Sequence, residues 1–267
     1  MARSPFRTRV ESTEWITPRM VRIVVSGDEL GSFDCGEFSD HYVKVQLPPP
    51  GAPYAAPFDM EDVRERFPRE LWPRTRSYTV REWDPEQRRL TLDFVVHGDV
   101  GIAGPWAAGA EPGDVLQLAG PGGAYTPDPD ADWHLMVGDP AVLPAIAASL
   151  ERIAAGVPVH VVVEIDDDDD KLELASPGDL HVRWLPRDAT AEALRAFEFP
   201  AGRVHAFVHG EATSVREVRR HLLVDRGIPK EHVSVSGYWK RTSTDEEWRA
   251  YKKEWNRLVE LDEAATA

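Results

Sequence analysis

The chain has 267 residues, 42% of them hydrophobic, and a formal net charge of −15. That length allows two domains, each with its own core. The acidic balance argues against nucleic acid as a partner, since phosphate neutralisation needs a basic surface; the single Cys35 excludes an internal disulfide and a cysteine-built zinc or iron–sulfur centre.

Residues 1–10 carry arginines but no apolar signal core, and no run of eighteen apolar residues follows, so a cytoplasmic location with no membrane insertion is expected. Short β-patterned segments come next: 17–26, 41–47, 77–82, 89–96 and 114–119, each bounded by Gly, Pro or Asp. Strands at this spacing, with no long helical pattern between them, predict an antiparallel barrel. The proline-bearing stretch 48–72 reads as a long loop or lid. After residue 128 the texture changes. Strands are expected at 133–137, 157–165, 181–185, 203–209 and 232–236, and helices at 144–155, 191–197 and 214–226. The nearly continuous apolar run VPVHVVVEI fits a parallel strand covered on both faces. The predicted organisation is a β-barrel domain over 1–128, an α/β domain with a parallel sheet over 129–243, and a helical tail over 244–267. In that tail Trp248, Tyr251 and Trp255 recur at helical spacing.

Arg76-Ser77-Tyr78-Thr79, followed by His97-Gly98 and Gly101-Ile102-Ala103-Gly104-Pro105-Trp106, carries the chemistry. A guanidinium, an aromatic ring and a hydroxyl at a strand end, with a glycine turn presenting backbone N–H groups, suit a flavin dinucleotide. Arg76 would meet phosphate, Tyr78 the ring system, Thr79 a polar flavin edge, and the turn the pyrophosphate. The plain alternative is a strand with a surface arginine and an ordinary glycine turn. Pro105 is expected at the first position of a short helix. His41 shares a strand face with Val43 and Val45, and Lys44 the opposite one; either could touch a flavin edge.

In the second half, Gly138-Asp139-Pro140 and His209-Gly210-Glu211 close strands at the carboxyl ends, where open α/β sheets bind ligands. A nicotinamide nucleotide is expected near Asp139 and Glu211, with helix capping as the alternative for Glu211. The five aspartates 166–170 read as a solvated loop, or as a group repelling the extra phosphate of NADPH. Lys240, Arg241, Lys252 and Lys253, set among Tyr238 and Trp239, form a basic-aromatic cluster for an anion, or pack the tail. His205 and His209 share a face but lack a third ligand, so no metal site is expected.

The segments RSYTV (76–80), DFVVHG (93–98), GPWAAGAEPGD (104–114), GPGGAY (120–125), LPAI (143–146), HGEATSVREVRRHL (209–222) and GYWKRTSTDEEW (237–248) together resemble the siderophore-interacting proteins. These are flavin-dependent ferric-siderophore reductases related to ferredoxin–NADP reductases. The resemblance implies FAD held by positions matching Arg76, Tyr78, Thr79, His97 and the 98–106 turn, and NADH or NADPH as electron donor. It also implies an anionic ferric siderophore received by Lys240, Arg241 and the tail lysines. Members of the family usually carry Gly-Asp-Glu-Thr or Gly-Asp-Glu-Ser where this chain has Gly138-Asp139-Pro140-Ala141, so a ferredoxin stands as an alternative donor. A general flavin or ferredoxin reductase, and a non-enzymatic siderophore carrier, are the rival functions.

Overall fold

Alternation of buried and exposed residues builds the first half of the computed structural model, which describes residues 5–264. The extreme ends of the expected barrel and tail, 1–4 and 265–267, lie outside the described residues. Strands β1 (Phe6–Thr17) and β2 (Met20–Ser26) form a hairpin; β3 (Tyr42–Leu47), helix α1 (Met60–Arg66), β4 (Arg74–Asp84), β5 (Arg89–Val95), helix α2 (Ala103–Ala108) and β6 (Val115–Gly122) follow. The six strands close in the order β1-β2-β5-β4-β3-β6, every pairing antiparallel, as the sequence predicts. Val10, Ile23, Val43, Val45, Leu90, Leu92 and Leu118 fill the interior.

Two details correct the reading above. The segment 17–26 is not one strand, because Pro18 and Arg19 make the turn between β1 and β2, and proline favours that kind of corner. The stretch 48–72 is not loop throughout: the Asp59 carboxylate accepts the backbone N–H groups of Glu61 and Asp62 and so starts α1.

The second half holds β7 (Trp133–Gly138), α3 (Leu143–Leu150), β8 (Pro158–Ile165), β9 (Asp179–Pro186), α4 (Thr190–Arg195), β10 (Val204–Glu211), α5 (Ala212–Arg220), β11 (Val233–Trp239) and α6 (Asp245–Ala264). Its sheet runs β11-β10-β7-β8-β9, parallel throughout. Leu135, Val137, Val162, Val208, Val215 and Val218 make the core between sheet and helices. Helix α3 stops five residues short of the expected end, where the chain tightens into i+3 turns such as Arg152 N–H to Ser149 C=O. Beyond Arg220, α5 widens into a π turn, His221–Asp225. The seam of α6 is Trp248, Trp255 and Val259, all buried, while Tyr251 lies on its exposed flank. The chain divides into two compact units between Thr126 and Pro127.

Candidate functional site

In the barrel, strand pairing splits the R-S-Y-T motif between two faces. Tyr78 stands opposite Val43 and Arg76 opposite Val45; Ser77 and Thr79 oppose Lys44 and Tyr42 on the other face. Arg76 and Tyr78 are half-buried, Ser77 is exposed, and Thr79 is buried. The Arg76 Nη1 donates to the Thr75 carbonyl at 3.0 Å. The Tyr78 ring packs on Phe94 with centroids 4.0 Å apart, and Phe94 packs in turn on Trp106 at 5.7 Å. This three-ring ladder brings the β4 motif and the start of α2 together. Phe94 is the residue that sequence reasoning missed; its only signal was an inward position in DFVVHG.

The turn before α2 is open. His97, Gly98 and Gly101 are exposed, and both glycines have positive φ (57° and 83°), a conformation that a residue without a Cβ adopts readily. Helix α2 starts at Ala103, so Pro105 occupies its third position, not its first. The missing proline N–H is still one that no helical carbonyl would have used. Gly104 packs tightly on β5: a Cβ there would stand 3.3 Å from the Val95 carbonyl oxygen. His41 is buried just before β3, its carbonyl accepting the Val80 N–H at 2.7 Å, and Lys44 is exposed. Phe94 thus links the Tyr78 ring to Trp106 of α2, while the Arg76 guanidinium shares the Tyr78 face of β4 and the Thr79 hydroxyl lies on the opposite one.

Two further buried carboxylates escaped the sequence. Asp93 takes both nitrogens of an Arg22 fork at 2.7 and 2.8 Å. Asp40 accepts the N–H groups of Ala124 and Tyr125, each at 2.8 Å, and so pins the GPGGAY segment.

In the α/β unit the predicted residues gather at the carboxyl ends of the strands. Asp139 is buried; its Oδ2 accepts from the Glu211 N–H and the Trp239 Nε1–H, both at 2.8 Å, and its Oδ1 from Ala141 N–H at 2.9 Å. Burial pushes its pKa up to about 6 against the pull of those three donors. Gly210 (φ 128°) is required here, because a Cβ would fall 2.5 Å from Asp139 Oδ2. Glu211 caps α5, its Oε2 accepting from Thr213 N–H (2.7 Å) and Ser214 N–H (3.1 Å). Its Oε1 accepts the Arg241 N–H at 3.0 Å.

The four basic residues do not form one open cluster. Lys240 lies over the Tyr251 ring at 4.5 Å. The Arg241 guanidinium is held by both oxygens of Asp188, at 2.9 and 3.0 Å. Lys252 is half-buried and donates to Ser236 Oγ at 3.3 Å, with its pKa lowered by burial. Lys253 is exposed. The expected common anion platform is thus divided, because tertiary partners distant in sequence claim two of its charges. In the aspartate run, Asp166 pairs with Arg187 and Asp170 is buried.

His205 Nδ1 accepts the Asp128 N–H at 3.0 Å. His209 stacks on Phe207 and lies 3.1 Å from both Tyr238 Oη and Ser234 Oγ; burial pushes its pKa down to about 3. No group of three metal-binding side chains occurs among the described residues, and no helix there is long and apolar enough to cross a membrane.

Known proteins align with both halves. Residues 9–125 match the siderophore-interacting FAD-binding domain, and residues 131–242 the siderophore-interacting protein family. The ferric vibriobactin reductase ViuB of Vibrio cholerae is 34% identical over 265 residues, covering 94% of this chain and 93% of that one. The NADPH-dependent ferric-chelate reductase of Escherichia coli is 31% identical over 233 residues, covering 85% and 89% respectively. The crystal structure of a siderophore utilization protein from T. fusca superposes with a TM-score of 0.76 at 33% identity, over 92% of this chain and 97% of that one. With a barrel and a parallel α/β unit that both match, the chain belongs to the siderophore-interacting protein family, built on an FAD-binding, reductase-like fold.

Proposed function

We propose that this protein is an FAD-dependent reductase of ferric siderophores, acting in the cytoplasm with NADH or NADPH as the source of electrons. The observation that carries the reading is the joining of Arg76–Thr79 to the glycine turn through Tyr78, Phe94 and Trp106, in a domain whose relatives bind FAD. Family membership over both halves, and relatives named as ferric-siderophore and ferric-chelate reductases, supply the substrate class.

Bound FAD would supply the exchange between two-electron and one-electron chemistry that iron reduction requires. The chain's own residues bind and orient. Arg76 offers a fixed positive charge for phosphate, and the turn around Gly98 and Gly101 offers backbone N–H groups. Thr79, buried on β4, would offer a hydroxyl to a polar ring edge. Tyr78, braced by Phe94, gives a rigid apolar wall. Of the basic residues, Lys240 and Lys253 are the ones left to meet an anionic iron complex. The substrate's hard oxygen ligands hold Fe(III) more firmly than Fe(II), so one-electron reduction loosens the metal.

Anaerobic spectroscopy tests the reading. The purified protein should carry a flavin spectrum, bleach on reduction, and recover its colour on adding a ferric siderophore, with Fe(II) trapped by a ferrous chelator. Recovery with oxygen or ferredoxin but not with any ferric siderophore would point instead to a general flavin reductase.

A further inference from the structure

A buried imidazole in the α/β unit bridges two hydroxyls. His209 of β10 stands opposite Ser236 of β11, and its ring reaches the residues on either side. Its Nδ1 lies 3.1 Å from Tyr238 Oη and its Nε2 lies 3.1 Å from Ser234 Oγ. The ring is buried, while Ser234 and Tyr238 are both half-buried on the edge strand of the sheet. Tyr238 is also the extra residue of a β-bulge: Gly210 pairs with Gly237 and Glu211 with Trp239, so the pairing passes over it. Such bulges re-aim a side chain. The identity of the two partners sets the chemistry. A backbone carbonyl or a carboxylate would fix a neutral imidazole in one tautomer, whereas a hydroxyl donates or accepts equally well. With a hydroxyl at each nitrogen, both neutral tautomers are fully hydrogen-bonded. Charge on the ring is disfavoured by burial and by Lys252, whose ammonium donates to Ser236 Oγ at 3.3 Å. The ring is therefore suited to pass a proton from one nitrogen's side to the other's, and not to store one.

We propose that Ser234, His209 and Tyr238 form a proton relay that delivers a proton from the tyrosine hydroxyl to an iron-binding oxygen of the siderophore as the metal is reduced. The proposal rests on the reductase reading above and supplies the proton that iron release requires. Tyr238 lies two residues before Lys240, the lysine assigned above to the anionic complex. As one flavin-derived electron converts Fe(III) to Fe(II), an iron–oxygen bond breaks and its electron pair stays on the oxygen. Tyr238 Oη gives that oxygen a proton and takes one from His209 Nδ1. His209 Nε2 takes one from Ser234 Oγ, and Ser234 takes one from a solvent acid. The net change is one electron and one proton, and the protonated oxygen no longer holds the metal. The ring ends as the other neutral tautomer and carries no charge at any stage. Tyr238 is the donor; His209 and Ser234 act through it as positioning residues.

Tyr238→Phe keeps the ring and His209→Gln keeps two hydrogen-bonding ends, but neither passes a proton. Photoreduced, FAD-loaded protein is mixed with ferric tris(2,3-dihydroxybenzoate), and Fe(II) is trapped with a ferrous chelator. Both variants should release iron at least about tenfold more slowly than the wild type, and an excess of imidazolium buffer should restore much of the rate in Tyr238→Phe. Affinity for the redox-inert gallium(III) complex of the same ligand should change by less than about threefold, which places the effect on rate and not on binding. Nitrogen NMR of the oxidised, histidine-labelled holoprotein needs no turnover. It should show His209 uncharged at neutral pH and exchanging between its two tautomers, and settled in one of them in Tyr238→Phe. Wild-type rates in both variants, a fall in gallium affinity that matches the fall in rate, no rescue by imidazolium, or a wild-type His209 ring fixed in one tautomer would each overturn the relay. Wild-type protein that still releases Fe(II) in those cases leaves the reductase reading standing; wild-type protein that releases none removes both.

Discussion

Asp93 in the barrel is buried against a guanidinium, its carboxylate gripped by the Arg22 fork. Asp139 and His209 in the α/β unit are just as buried, yet meet only neutral donors and acceptors. His134, also buried there, has a pKa of about 4 for the same reason, desolvation. These three buried groups in the α/β unit and Asp93 in the barrel are thus accommodated in different ways. Asp93 is compensated by an opposite charge, while Asp40 in the same barrel rests on the backbone N–H groups of Ala124 and Tyr125. The α/β unit keeps two histidines neutral and holds a carboxylate on backbone and indole N–H groups. Its stability should therefore respond to pH more steeply than the barrel's, while the barrel should be more sensitive to loss of one partner.

The largest expected effect comes from breaking the barrel's pair. Arg22→Met leaves Asp93 buried without its cation and should cost roughly 2–4 kcal/mol. Urea unfolding followed by flavin release would show it, and an unchanged midpoint would mean that the pair contributes little. Next is acid. A histidine held neutral in the fold but titrating normally when unfolded adds stability that is complete above pH 6.5. That stability is lost as pH falls from 6.5 toward the folded values, about 4 for His134 and about 3 for His209. Together these two should remove roughly 2–3 kcal/mol between pH 6.5 and 5. His209→Gln should flatten that slope, as read from far-UV circular dichroism.

Asp139 has the opposite sign. Its folded pKa, about 6, lies above its unfolded value, so its titration contribution is complete below pH 3.8 and is lost as pH rises through 6. Relative to Asp139→Asn, the wild type should lose roughly 2 kcal/mol between pH 4 and 7. A difference independent of pH would show that the carboxyl titrates normally. The smallest effect is expected at Lys253, exposed on α6: Lys253→Ala should change stability by less than about 0.5 kcal/mol, whereas Lys240→Ala should raise the KM for the ferric siderophore.

Periodicity made most of the fold legible. The period-2 segments closed into the barrel, and VPVHVVVEI became β8, paired on both sides in the parallel sheet. Strand β1 escaped because only its first half alternates; residues 11–15 are all exposed. The glycine turn and R-S-Y-T were readable because local residue types carry them. Asp93 and Arg22, 71 positions apart, were not, since only sheet register brings them together. Arg241 was taken for an available cation for the same reason: Asp188, which claims it, lies 53 residues away.

The central claim is that the barrel holds FAD through Arg76, Tyr78, Thr79 and the turn at 98–101, and flavin titration tests it most directly. Protein stripped of cofactor and titrated with FAD should regain a flavin spectrum at one equivalent, and Arg76→Ala should bind at least about tenfold more weakly while keeping its fold. Wild-type protein that shows no affinity for FAD, or an Arg76→Ala variant that binds it as tightly as the wild type, would contradict the account.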